Sequence, residues 1–300
     1  MRGPRIRGYG QPVDQPLPTA RVSIVVITRN RRSEVLDAVG RLLDLPERPP
    51  VIVVDNDSSD GAAEAVAQKF PSVDVVRLPS NLGAAGRTAG VRRARTPYVA
   101  FSDDDSWWAP GALDLAADLL DAAPRLAVLA ARVLVGPGER LDPVCRLMQR
   151  SPLGGVPGVG PRVLGFIACG AVVRRSAYLE VGGFHPRYGV GGEETLLAVD
   201  LAERGWACAY ADGVVAHHHP SPVRDPAARR VRDVRNDLWT LWLRRRLTGV
   251  ARETARLLVR LPADRQVRTG LRQALAGVPW ILRERASVGR STERALRQLR

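Results

Sequence analysis

At 300 residues with 45% apolar content, the chain can bury a sizeable core, which excludes a disordered or peptide-like protein and predicts one large domain with an appendage. The three cysteines, Cys145, Cys169 and Cys208, are widely spaced and suggest neither a disulfide framework nor a thiolate metal site, so a reducing, cytoplasmic setting fits. The net charge of +14 resembles a nucleic-acid signature until it is located: residues 224–300 hold 20 arginines against 7 acids, +13, so nucleic acid is not the expected partner of the main domain.

Residues 1–20 read as an N-terminal tail without a signal-peptide pattern, and apolar stretches such as Val163 to Val173 are too short to span a bilayer. From Val22 to Ile27 an almost continuous apolar run predicts a buried strand. No G-x-G-x-x-G follows it, and Thr28-Arg29-Asn30-Arg31 stands there instead. Helical spacing runs from Val35 to Leu45, and Val51 to Val54 is a second buried strand. It ends in Asp55-Asn-Asp-Ser-Ser-Asp-Gly61, where Asp55 is placed to accept hydrogen bonds from a base or ribose, and Ser58, Ser59 and Asp60 read as turn and cap residues.

Ala62 to Phe70 reads as helix and Val73 to Leu78 as the third strand. Asn81-Leu-Gly83-Ala-Ala-Gly-Arg87-Thr-Ala-Gly90 then opens a helix over 84–94. Its small residues allow close backbone approach to a phosphate, with Arg87 as counter-charge. The strand Tyr98 to Phe101 runs into Asp103-Asp104-Asp105, three adjacent carboxylates that are costly together unless a cation sits among them. A helix starts near Pro110. Four β/α repeats of this kind predict an α/β fold with a largely parallel sheet, ligands binding beyond the carboxyl ends of its strands.

Further on, Glu193 and Glu194 lie in the first turn of a helix, where the macrodipole alone would favour acids. His217, His218 and His219 follow the strand-like Gly213 to Ala216, and imidazole is a common metal ligand. Trp107 and Trp108 divide between sugar stacking and core packing, and for His185 packing and acceptor contact are equally open. The tail begins with Val231, Val234, Leu238, Leu241 and Trp242 at helical spacing, and continues with Leu257, Leu258 and Leu261 flanked by Arg256 and Arg260. Such basic amphipathic helices either lie on an anionic membrane surface or pack on the catalytic domain.

Taken in order, the motifs at 23–29, 53–61, 81–83, 103–105, 166–175, 182–184, 192–194 and 217–219 resemble the family 2 glycosyltransferases of the GT-A fold. The resemblance covers residues 21–220. It implies an inverting, metal-dependent glycosyltransferase that moves a sugar from a nucleotide diphosphate donor to a hydroxyl acceptor, such as a lipid-linked or cell-envelope glycan. A non-catalytic α/β scaffold with a basic tail that binds membrane or nucleic acid is the alternative reading. The resemblance further implies that Thr28, Arg29, Asp55, Asn81, Gly83, Arg87, Asp103 and Asp104 serve the donor, that Asp103, Asp105 and His217 hold Mg²⁺ or Mn²⁺, and that Glu194, or its neighbour Glu193, is the base. Catalytic domain and basic helical region are expected to meet at 223/224, near Pro220, Pro222 and Pro226.

Overall fold

A computed structural model describes residues 20–220, 226–260 and 264–299, with the backbone alone for 257–260. Strands β1 (Val22–Thr28), β2 (Val51–Asp55), β3 (Asp74–Arg77) and β4 (Tyr98–Asp103) form the parallel half of one sheet in the order β3-β2-β1-β4. Helices α1 (Arg32–Leu43) and α2 (Ala62–Lys69) cover one face. The helix expected over 84–94 begins instead as a 3₁₀ turn, Gly83–Gly86, and becomes α3 at Arg87–Arg93. That tighter winding suits its small residues, since even a Cβ on Gly86 would come within 3.0 Å of Ile27.

The second half is mixed. β5 (Ser106–Trp108), α4 (Ala112–Ala122), β6 (Leu126–Val135), β7 (Arg140–Leu141) and α5 (Pro143–Gln149) lead to a small hairpin of β8 (Gly155–Val156) and β9 (Gly160–Pro161). β10 (Ala171–Arg174), α6 (Arg175–Glu180), α7 (Glu193–Glu203) and β11 (Ala207–His218) complete the domain. The sheet continues β4-β10-β6-β11-β5, with β10 antiparallel to both neighbours and β6 parallel to β11. Alternate residues of β1 feed two cores. Ile24 and Val26 pack with Leu42, Val66 and Leu113, whereas Val25 packs with Val91, Phe101 and Leu197. Apolar side chains on both faces explain why these strands read as continuous hydrophobic runs.

The tail folds into α8 (Pro226–Arg244), α9 (Leu247–Arg260), α10 (Arg265–Ala276), α11 (Val278–Glu284) and α12 (Arg290–Gln298). Leu238, Trp239, Leu241 and Trp280 share a core with Tyr188 and Leu196 of the preceding region. α8 therefore packs on the sheet domain, as one of the two readings of the tail required. The boundary at 223/224 and the side chains of the Leu257, Leu258 and Leu261 face lie outside the described residues. No helix among the described residues is long and apolar enough to cross a membrane.

Candidate active site

Register assembles the acidic cluster. β1 pairs with β4 so that Ile27 faces Asp103, and one residue on, Thr28 Oγ1 donates to Asp104 Oδ2 at 2.9 Å. Thr28 also pairs across the other edge of β1 with Asp55. Asp55 is buried, and its Oδ1 accepts from the Ser58 amide at 3.2 Å. Around it, Asp60 accepts from the amides of Arg32 (2.9 Å) and Ala62 (3.1 Å), the capping work anticipated for this loop.

Arg29 is exposed and has no ion pair among the described residues. Asn30, at φ +53°, turns the backbone through the left-handed region, and it is Arg31 that folds back: Nη1 donates to Asp104 Oδ1 at 2.9 Å and Asp105 Oδ2 at 3.0 Å. Burial is the main reason the Asp104 carboxyl is pushed up to about 6, with Asp103 and Asp105 adding repulsion and Arg31 and Thr28 opposing. Burial acts the same way on Asp105, but its hydrogen bond to His218 and the Arg31 charge outweigh it and hold this carboxyl below the usual range. Asp103 is paired with Arg87, which is almost wholly buried and whose Nε has no partner among the described residues.

Of the site residues expected from the sequence, His217 is not brought to the triplet. β11 is antiparallel to β5, with His217 opposite Trp107 and His218 opposite Ser106. Because side chains alternate along a strand, only one of two successive histidines can face the triplet. It is His218, with Nε2 at 3.2 Å from Asp105 Oδ1. His217 stacks on Trp107 (ring centroids 5.5 Å apart, planes at 13°) and bonds through Nδ1 to Glu139 Oε2 at 2.8 Å. Trp108 is core, whereas Trp107 is half-buried. One oxygen of Asp103, one nitrogen of His218 and the thiol of Cys169 lie within 4.8 Å of one another.

The base candidates come from the other side. Gly192, at φ +79°, caps α7, and Glu193 and Glu194 form its first turn. Burial raises both carboxyls above the usual range. Repulsion from Glu194 adds to the effect on Glu193, while the Arg87 guanidinium draws both down. Glu193 is 2% exposed, with one oxygen unpartnered among the described residues, whereas Glu194 is half-buried and feels Asp103. Arg87 is thus the charge common to the triplet and the pair.

Asn81 accepts from the Gly83 amide at 2.9 Å and serves the turn. Gly83, at φ +57°, lies against Gly189, whose carbonyl accepts from the Ala84 amide at 2.7 Å. Asn56 was not anticipated: buried, it donates to Gly83 O at 3.0 Å and accepts from the Leu82 amide at 2.8 Å. Nor was Asn236 of α8. It has no exposed surface, and its Nδ2 donates to the carbonyls of Tyr188 (3.0 Å) and Gly191, at the threshold of α7. His185 stacks on Trp280 at 5.1 Å and bonds to Glu284 at 2.9 Å, which makes it part of the same junction.

A mixed α/β sheet with acids gathered beyond the carboxyl ends of β1, β2 and β4, and a carboxylate pair facing them, defines a GT-A-type transferase architecture. The sequence matches the family described as Glycosyl transferase family 2 over residues 23–182. It is 30% identical over 219 aligned residues to the N-acetylglucosaminyl-diphospho-decaprenol L-rhamnosyltransferase of Mycobacterium tuberculosis, spanning 61% of this chain and 71% of that one. The fold is similar to the mannosyltransferase PcManGT from Pyrobaculum calidifontis, in complex with GDP-Man and Mn²⁺ (TM-score 0.59, 19% identity, 93% of this chain and 85% of that one). It is also similar to S. aureus TarS 1-349 in complex with UDP-GlcNAc (TM-score 0.55, 17% identity, 74% and 66%). The chain belongs to glycosyl transferase family 2, and it is a glycosyltransferase.

Proposed function

We propose that this enzyme transfers a sugar, with inversion, from a nucleotide diphosphate donor to a hydroxyl of a lipid-linked glycan. The observation that carries this is the gathering of Thr28, Asp55 and the Asp103–Asp105 triplet at adjoining strand ends, with Glu194 close enough to share the Arg87 charge with Asp103. Thr28 and Asp55 at the strand ends, with Asp104 beside them, offer acceptors to the base and ribose. Arg31 and Arg87 hold the triplet in register. Glu194, the more open of the pair, takes the acceptor proton as the hydroxyl attacks the anomeric carbon, and a single displacement inverts that centre. The lipid-linked acceptor is supported by the decaprenol-linked substrate in the name of the mycobacterial relative.

The donors suit a divalent ion: an Asp103 oxygen lies within 4.8 Å of a His218 nitrogen, and Asp105 Oδ1 lies 3.2 Å from the same imidazole. Bound there with the donor, Mg²⁺ or Mn²⁺ would offset charge on the departing diphosphate. Screening nucleotide sugars for thermal stabilisation and hydrolysis, with Mn²⁺ and with chelator, tests the reading. One donor should act only with metal. Equal effects in chelator overturn the metal assignment, and no effect with any nucleotide sugar overturns the donor class.

For the tail, we propose peripheral contact with an anionic membrane surface. Arg246, Arg290 and Arg294 border a cleft of about 400 Å³ and pair with no carboxylate among the described residues, while Leu247 and Leu282 are 74% and 70% exposed. Co-sedimentation with anionic vesicles should be strong at low salt and fade at high salt. Protein that stays in the supernatant in both rejects it.

A further inference from the structure

Cys169 carries no role in the reading above, yet it lies at the centre of the site. Its position follows from register. β10 is antiparallel to β4, with Val172 opposite Ala100 and Arg174 opposite Tyr98, so extending the ladder three residues back from Val172 brings Cys169 level with Asp103. The residue sits in a 3₁₀ turn, Ala168–Gly170, and is 3% exposed. Gly170 is pressed so closely on Val133 that no side chain fits there, which holds the turn and the thiol in place. The other two cysteines lie apart from the acids: Cys145 accepts from the Val133 amide at 3.3 Å, and Cys208 is enclosed in the core.

The thiol sulfur, an Asp103 oxygen and a His218 nitrogen all lie within 4.8 Å of one another. Two ligands of one ion, each about 2.0–2.3 Å from it, are at most about 4.6 Å apart across it, so these donors need to shift only slightly to close on a cation. Asp103 can take part without leaving Arg87, because the pair uses Oδ1 and leaves Oδ2. We propose that Cys169 is a thiolate ligand of the divalent ion at this centre. With Asp103 and His218 it forms a mixed carboxylate, imidazole and thiolate set that ranks Zn²⁺, Cd²⁺ and Co²⁺ above Mg²⁺. The proposal rests on the metal reading above and adds a soft donor to it.

The step balances as metal-for-proton exchange: the sulfur–metal bond forms as the S–H bond breaks, and the proton passes to solvent. Burial, and the nearby Asp103 charge, keep the thiol protonated well above neutral pH without an ion. Because the exchange releases a proton, binding of thiophilic ions should tighten as pH rises.

Titration of the full-length protein with Co²⁺ alone tests the proposal. Wild type should show visible d–d bands together with a near-ultraviolet thiolate-to-cobalt charge-transfer band. Cys169→Ser should keep d–d bands, lose the charge-transfer band and bind Cd²⁺ at least about tenfold more weakly, since even outer-shell partners are worth 10–100-fold. A Cys145→Ser, Cys208→Ser double variant should keep the charge-transfer band. The ¹¹³Cd resonance of the wild-type protein, which needs no variant, should fall in the thiolate-ligated range. Visible bands without charge transfer, or a cadmium shift typical of oxygen and nitrogen ligands alone, overturn the role of Cys169 while leaving the metal reading intact. No bands in wild type at all overturn the role of Cys169 as well, and the metal reading then stands or falls on the donor screen with Mn²⁺ and chelator.

Discussion

The two halves of the active site are built by different means. On the donor side, Thr28, Asp55 and the aspartate triplet are carried on neighbouring strands, and ladder register places them to within a hydrogen bond. On the base side, Glu193 and Glu194 stand at the end of a glycine-rich loop held from α8: Arg235 and Asn236 donate to the Tyr188 carbonyl and Asn236 also to that of Gly191, while Thr240 bonds to the Tyr188 hydroxyl. Strand ladders are cooperative and tolerate single substitutions, whereas a loop gripped by a few side-chain bonds, chief among them those of buried Asn236, depends more on each of them. The base side should therefore be the more fragile half, and the tail should matter to chemistry even with the donor side whole.

The largest effect should come from the base itself. Glu194→Gln should cut transfer by about 10²–10⁴-fold, the usual worth of a positioned base, while calorimetry shows donor affinity nearly unchanged. Glu193→Gln should be milder, and the reverse order would place the base one residue earlier. Because burial raises both carboxyls, the acid limb of the rate profile should lie above the ordinary glutamate value, activity rising with pH until the base is ionised. A limb at the ordinary value would mean that the pair opens to water in the working enzyme.

Next comes the grip on the loop. Asn236→Leu removes two donated hydrogen bonds and should lower kcat by about 10–100-fold, the scale of a 1 Å misplacement, with donor affinity held by the intact strand ends. Equal losses in kcat and donor binding would show that the two halves are not separable. On the donor side, Arg31→Ala should weaken nucleotide diphosphate binding by less than about tenfold, because Thr28 still holds Asp104.

The smallest effect concerns stability. Asp104 is raised to about 6 in the fold, so the fold favours its protonated form. The stability this adds is complete below the unfolded value near 4 and is lost as pH rises through about 6. Asp104→Asn, which keeps an acceptor for Thr28 and carries no charge, should stabilise the metal-free protein by about 1–2 kcal/mol at pH 8 and by little at pH 4. Chemical denaturation at both pH values checks it, and an Asp104→Asn protein less stable at pH 8 would show that Arg31 more than compensates the burial.

Much of this was legible in the residues. Uninterrupted apolar runs announced β1, β2 and β4, since strands covered on both faces have no polar alternation, and polar residues after each run marked the edge where ligands gather. Asp103, Asp104 and Asp105 could be singled out because adjacent carboxylates are costly without a partner, whereas Glu194, at a helix N-terminus where acids are common, is picked out by the family resemblance. Composition located the basic tail, and helical spacing from Val231 to Trp242 announced α8.

Tertiary structure decided the rest, for reasons of register and distance. Which of two consecutive histidines faces the triplet depends on the phase of β11 against β5, and local sequence does not carry that phase. The turn at Asn30 sends Arg31 inward to Asp104 and Asp105, where the resemblance points to Arg29. Cys169 joins the acids only because β10 runs antiparallel between β4 and β6, and Asn236 reaches Gly191 across 45 residues of chain. Sequence alone determined which chemical groups this protein has and which strands carry them; pairing across the sheet and packing of the tail decided which of those groups meet, because both rest on contacts between residues far apart in the chain.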